Sequence, residues 1–337
     1  MAITWLEFGL CAALIVWCGT NLSRYGDMIA EKTGLGRAWT GFILMASVTS
    51  LPELITGISS VAFANAPDIA LGDIMGSCVF NLAILSLMDI LHGPTPIFSK
   101  AEHGHILSAG FGIVLIGIAS VSILANDLVP SLGNVGLYTI AIAMLYGIGI
   151  RSVFLFEKKK IVKFVTEMAE AVHYEHITMR EAVLKYLLNA VVIIGAATWL
   201  PFIGARLAVV TGLGQSFFGA VFIAMTTSLP ELVVSIAALR IGAADMAIAN
   251  LFGSNMFNIF ILAVDDVCYV KGPLLSSISK NHAVTGFIAV IMTGIAIISL
   301  TYRLEKKPLL RLGWDAVAIL LAYSVNIYLL YALRGKG

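Results

Sequence analysis

Glu53 and Glu231 each follow a proline inside a long apolar run, in "SVTSLPELIT" (Ser47 to Thr56) and "AMTTSLPELVV" (Ala224 to Val234). Proline has no N–H, so the carbonyl four residues earlier loses its helical partner. Pro52 frees the carbonyl of Val48 and Pro230 that of Thr226. Free carbonyls at membrane depth persist only where protein, water or an ion satisfies them. Around Pro52, the residues Ala46, Thr49, Ser50, Glu53, Thr56, Gly57 and Ser60 recur every three or four positions and share one helix face. Thr227, Ser228, Glu231 and Ser235 do likewise in the second stretch. Such a face offers hydroxyls, carbonyls and one carboxylate, the oxygen ligands that hard cations such as Ca²⁺ and Na⁺ take. An unpaired carboxylate at the bilayer centre costs at least ~2.5 kcal/mol. The middles of these runs hold no Lys or Arg. Glu53 and Glu231 therefore need protons or bound cations.

A second polar element follows each proline–glutamate stretch. Ser77 and Asn81 are i, i+4 and face one way, as do Ser254 and Asn258. Gly76 and Gly253 allow close helix approach. Alone, such Ser and Asn residues read as packing hydrogen bonds. Their recurrence beside the glutamates makes them candidate ligands.

These residues need elements to hold them. The 337-residue chain is 59% hydrophobic and 12% charged, whereas a soluble domain is about a quarter charged. That is too little polar surface to coat a water-soluble globule, so the chain reads as an all-α integral membrane protein. A spanning helix needs about 20 largely apolar residues. Ten runs qualify: 3–29, 37–64, 67–91, 103–125, 128–156, 181–210, 214–240, 243–269, 279–302 and 311–334. They are too long and too uniformly apolar for barrel strands. With the N-terminus outside, all of the 21 Lys and Arg residues except Arg206, Lys271, Lys280, Arg334 and Lys336 fall on the inner side. Both termini are then extracytoplasmic in a cell membrane. The charged stretch 157–180 is expected to be a partly helical cytoplasmic linker between five-helix halves, 1–156 and 181–337.

The halves repeat. "TSLPEL" occurs at Thr49–Leu54 and Thr227–Leu232, and "GSCVFN" at Gly76–Asn81 matches "GSNMFN" at Gly253–Asn258. Between them "PDIALGDIM" aligns with "ADMAIANLF". With five spans per half, the second copy enters the membrane the opposite way up. Many secondary transporters build alternating access around a midplane site from such inverted repeats.

These motifs resemble the α-repeats of the cation/Ca²⁺ exchanger superfamily, most closely its prokaryotic sodium/calcium exchanger branch. The resemblance covers essentially the whole chain. It implies ion ligands at Glu53 and Glu231, surrounded by Thr49, Ser50, Ser77, Asn81, Thr227, Ser228 and Ser254, with carbonyls near Ala46 and Ala224 facing the site. The sequence departs from the family pattern at Asn258, where an acidic residue often stands, and at Asp73 and Cys78, where Asn is usual or frequent. The central positions thus supply two carboxylates and two amides, Asn81 and Asn258. Asp73 reads either as part of an access path or as a water-facing residue.

The expected activity is antiport of Ca²⁺, or a related divalent cation, against Na⁺. The alternatives are a proton-coupled exchanger of the same superfamily, a cation channel, or an intramembrane structural or sensing subunit. Neither a resident cofactor nor an obligate protein partner is expected, and lipid surrounds the chain. A net charge of +1 argues against a nucleic-acid footprint. The sequence has no HExxH, Walker A or GxSxG motif, so no enzyme is expected. "HYEH", His173 to His176, lacks a third spaced ligand and reads as a solvated helix face. Asp89, Asp265 and Asp266 read as wet helix ends. Trp5, Trp199 and Trp314 read as interfacial anchors, and Cys11, Cys18, Cys78 and Cys268 as free thiols in apolar surroundings. The first apolar run lacks a basic n-region and is expected to be a retained helix.

Overall fold

The computed structural model describes residues 1–33, 49–99, 101–171, 177–240, 242–303 and 313–334. Ala46, Val48 and the His173–His176 stretch lie outside the described residues. The chain is helical almost throughout. Its helices are α1 (Ala2–Thr33), α2 (Leu51–Ala62), α3 (Pro67–Leu91), α4 (Gly104–Leu124), α5 (Leu137–Ala171) and α6 (Met179–Thr211). The series continues with α7 (Gln215–Thr227), α8 (Leu229–Arg240), α9 (Ala244–Cys268), α10 (His282–Tyr302) and α11 (Trp314–Leu333). A two-stranded hairpin, β1 (Ser131–Leu132) with β2 (Val135–Gly136), precedes α5.

Eight of these helices are long and apolar enough to cross a membrane, and α7 with α8 would form a ninth as one bent span. Of the run 37–64, the described part is the short apolar helix α2. The expected linker 157–180 is helical as far as Ala171, continuous with α5. Thr178 then caps α6 by accepting the Glu181 N–H, which satisfies one of the orphan donors of that helix start.

Helix lengths repeat between the halves. Helices α2 and α8 both have 12 residues, α3 and α9 both 25, and α4 and α10 both 21. Contacts between the halves are reciprocal too. Asp68 pairs with His282 Nε2 at 2.9 Å and accepts the Ser279 N–H. Its counterpart Asp245 pairs with His105 Nε2 at 2.8 Å and accepts the Glu102 N–H. Reciprocal contacts of this kind are what an approximate two-fold relation between two similar bodies produces.

Helices α3 and α9 lie at the centre and are buried on nearly every side. Helices α1, α5 and α11 are outer and keep large apolar side chains exposed, among them Trp17, Met144 and Leu321. Those exposed apolar side chains suit lipid. Trp5 and Trp314 are partly exposed near helix ends, as interfacial anchors are, whereas Trp199 is exposed in the interior of α6, away from either end. No disulfide joins the four cysteines: three are buried and Cys268 is half-buried.

Helix α7 departs from regular α geometry. Its residues Gly219–Ile223 form a π turn, a feature often found at functional sites. The wide turn brings its backbone against α3, so close that a Cβ on Gly76 would lie 2.3 Å from the Ala220 carbonyl oxygen. Helices α7 and α8 then bend by 42° at Ser228, two residues before Pro230.

Three residues read as wet helix ends are buried instead. Asp89 accepts the Ile97 N–H at 2.7 Å, and Asp266 accepts the N–H groups of Gly136 and Leu274. Tyr138 and Thr139 also donate hydroxyls to Asp266. The chain folds back over the end of each central helix, and these carboxylates anchor it there. Asp265 is likewise fully buried.

Candidate cation site

Pro230 offers no N–H to the Thr226 carbonyl, and the bend at Ser228 places Ser228 and Glu231 on either side of the break. Glu231 accepts a hydrogen bond at Oε1 from Ser50 Oγ, 2.8 Å away in the other half. Ser254, from α9, approaches the same oxygen at 3.5 Å and accepts from Ser50 at 3.3 Å. The mirrored contact is present: Ser228 Oγ donates to Glu53 Oε1 at 2.8 Å. Each half therefore holds the other half's glutamate by one serine hydroxyl. Thr49, Ser50, Glu53, Thr227, Ser228, Glu231, Ser77, Ser254, Asn81 and Asn258 are all buried.

The remaining members are less uniform. Thr227 Oγ1 donates to Asp73 at 2.8 Å and also lies within bonding distance of the Ile223 and Ala224 carbonyls. The Ala224 carbonyl additionally accepts the Ser228 N–H. Ser77 reaches Asp73 at 3.5 Å. Asn81 donates its amide to Asn255 Oδ1 at 3.0 Å.

Two further residues join the group: Asp73, already a candidate for an access path, and Asn255, which was not singled out. Asp73 is fully buried and lies against Thr227, which rules out the water-facing reading. Its signal was present: it interrupts the apolar face one turn before Ser77. Asn255 fixes the orientation of Asn81, and its only mark in the sequence was that it replaces Cys78 in the repeat.

The electrostatics follow from what is not satisfied. Among the described residues, one oxygen each of Glu53, Glu231 and Asp73, the Asn81 carbonyl oxygen and both amide atoms of Asn258 are buried without a hydrogen-bond partner. Leaving one such group unsatisfied costs about 1–3 kcal/mol, more for a charged one. The ion pairs formed by described Lys and Arg residues lie elsewhere, at Lys185–Glu181, Arg206–Glu7 and Lys280–Asp127. The carboxylates thus have hydroxyl donors on one side and open oxygens on the other. Such a set can accept a cation or a proton.

Comparison with known proteins gives a consistent picture. The family model described as "Sodium/calcium exchanger protein" matches residues 3–154 and 182–332. An uncharacterised membrane protein of Methanocaldococcus jannaschii is 23% identical over 260 residues, covering 77% of this chain and 80% of the relative. Among solved structures, the sodium-calcium exchanger NCX_Mj, soaked with Na⁺ and Sr²⁺, superposes with a TM-score of 0.60 at 20% identity, covering 97% of this chain and 99% of that one. The H⁺/Ca²⁺ exchanger CAX superposes with a TM-score of 0.72 at 14% identity, covering 98% and 85%. At these identities the structural likeness establishes the fold.

Proposed function

The chain belongs to the sodium/calcium exchanger protein family, and from that we propose an antiporter that moves Ca²⁺ against Na⁺ through the Glu53–Glu231 site. It is a multi-pass membrane protein of a cation/Ca²⁺ antiport family. Our reading adds ten spans in two halves of opposite orientation, with both termini outside the cell membrane. The carrying observation is the pair of fully buried glutamates, each with one oxygen held by a serine of the other half and one oxygen open.

In this reading Glu53, Glu231, Asn81 and Asn258 are ligands, with Thr49, Ser50, Ser77, Thr227, Ser228 and Ser254 positioned around them and carbonyls near Ala46 and Ala224 completing the shell. Coupling follows from desolvation. Empty carboxylates in a closed low-dielectric site are costly, so only the ion-loaded site changes its exposure. Ca²⁺ and its counter-ions compete for the same oxygens and cross in turn. A channel would leave those oxygens in continuous contact with water, whereas full burial suits an occluded state.

A second reading keeps the site and replaces Na⁺ by H⁺. It draws support from the open carboxylate oxygens, which suit protons as well as Na⁺. Purified protein in vesicles distinguishes the two. Calcium uptake driven by an outward Na⁺ gradient supports the first reading, uptake driven by a pH gradient alone supports the second, and uptake with neither gradient contradicts antiport.

A further inference from the structure

Asp265 is a buried carboxylate outside the Glu53–Glu231 site. It lies two helical turns beyond Asn258 on α9 and is fully buried. Neither of its oxygens has a hydrogen-bond partner among the described residues. Its carboxylate fits over Gly57 of α2, where an added Cβ would stand 2.3 and 2.7 Å from the two oxygens. Gly57 is one turn along α2 from Glu53, on the same face. The missing side chain at Gly57 is therefore the space that Asp265 occupies, next to the helix that carries a proposed ligand.

The charged surroundings offer no neutralising partner. From α3 it faces Asp73, and on its own helix the nearest titratable groups are Asp266 and Cys268. Asp266 is engaged by Tyr138 and Thr139. The other helices packed on α9 contribute His105, which is bound to Asp245, Tyr138, Tyr146, which stacks on Phe260, and Glu231. Arg151 and Arg240 are at the exposed surface. The first half places the apolar Met88 at the equivalent position, also fully buried, so packing in this fold does not require an acid there.

The chemistry selects the ligand. A Ca²⁺ ion takes 6–8 oxygens, whereas Asp265 brings two unpartnered oxygens over the bare backbone of Gly57. A proton needs one oxygen and removes the charge whose burial is costly. We propose that Asp265 is a proton-binding residue of the transport cycle, carrying a proton that leaves when a divalent cation occupies the site at Glu53. The coupling is electrostatic: a cation held at Glu53, one turn along α2 from the Gly57 that Asp265 covers, favours the ionised carboxylate, and the O–H proton passes to water as Ca²⁺ enters. This deepens the antiport reading by adding one proton to its ion exchange, and it applies whether Na⁺ or H⁺ drives the cycle.

The test uses the full-length protein, wild type and Asp265→Asn, in two assays. In detergent, a pH dye counts protons released as Ca²⁺ is added; linkage requires about one fewer per bound Ca²⁺ in the variant than in wild type. In vesicles, gradient-driven calcium uptake is followed against pH, and the variant is expected to show a flatter profile. Equal proton release and an unchanged profile would overturn the proposal, as would a wild type that binds Ca²⁺ without releasing protons. If Asp265→Asn does not fold, Asp265→Glu is read in the same assays, and there a displaced profile supports the proposal and an unmoved one overturns it. Absence of gradient-driven uptake by wild type would instead overturn the antiport reading, which the dye measurement does not depend on.

Discussion

Cys78 and Asn255 occupy matching positions in the two halves, and each bonds the other's backbone carbonyl: Asn255 Nδ2 to Cys78 O at 3.1 Å, and Cys78 Sγ to Asn255 O at 3.8 Å. Two equivalent residues meet like this only where a two-fold axis passes between them. The serine–glutamate pairs straddle the same axis, so the proposed ion ligands lie at the centre of the relation between the halves.

Glu53→Gln and Glu231→Gln are each expected to reduce calcium uptake into vesicles to background while leaving the protein folded. Gln keeps the size and one carbonyl oxygen but removes the charge. Uptake near wild-type levels in both variants, with normal elution on size exclusion, would contradict the proposed site.

Ser50→Ala and Ser228→Ala should weaken calcium affinity by similar amounts, since each removes one hydroxyl from the opposite glutamate. A hydrogen bond to a charged group contributes about 1.5–3 kcal/mol, which corresponds to about tenfold or more in affinity. Apparent affinities from uptake at varied Ca²⁺ measure this. A large effect in one variant and none in the other would mean that the two glutamates do not share a role.

Gly76→Ala is expected to destabilise the protein, because the new methyl meets the Ala220 backbone, which cannot move aside as a flexible side chain would. Overpacking of this kind costs about 1–3 kcal/mol. A lowered melting temperature in detergent is the expected result, and the effect should be absent for Gly110→Ala, where nothing lies within 4 Å of the added atom.

Asp73 and Asn258 bear on charge balance. Glu53 and Glu231 alone neutralise one divalent or two monovalent ions, and the buried Asp73 adds a third carboxylate to the cluster. Asp73→Asn should therefore bring exchange closer to electroneutral, seen as a smaller dependence of flux on membrane potential. Asn258→Asp should tighten cation binding and make flux more pH-dependent, because a new titrating group joins those present. Unchanged voltage response in the first and unchanged affinity and pH profile in the second would show that counting carboxylates is the wrong account of stoichiometry.

A cysteine at Lys160 should react with a membrane-impermeant reagent only from the cytoplasmic side. Labelling from outside intact cells would reverse the proposed orientation.

Much of this arrangement was legible in the sequence because membrane burial makes polar residues conspicuous. Glu53, Glu231 and their Ser and Thr neighbours stood out against apolar helices, and repetition marked them a second time. The π turn at Gly219–Ile223 left no such mark: it depends on how α7 seats against Gly76, a contact between residues far apart in sequence. Burial of Asp265 and Asp266 was hidden for a related reason. A carboxylate near the end of an apolar run reads as wet unless one knows that Leu274 and the hairpin before α5 fold over it.

Asp265 opposite Met88, and Asp73 opposite Asn250, carry a lesson about inheritance. An assembly of two identical half-length chains would obey its symmetry without exception, and any acid gained on one side would appear on the other as well. A single continuous chain has no such constraint, because each half can mutate alone. The serine–glutamate pairs, which need both halves, limit how far that divergence can go at those four residues, while the positions around them are free to differ. Chemical individuality among these exchangers is therefore expected to accumulate along the approaches to the ion, with the innermost oxygens changing least.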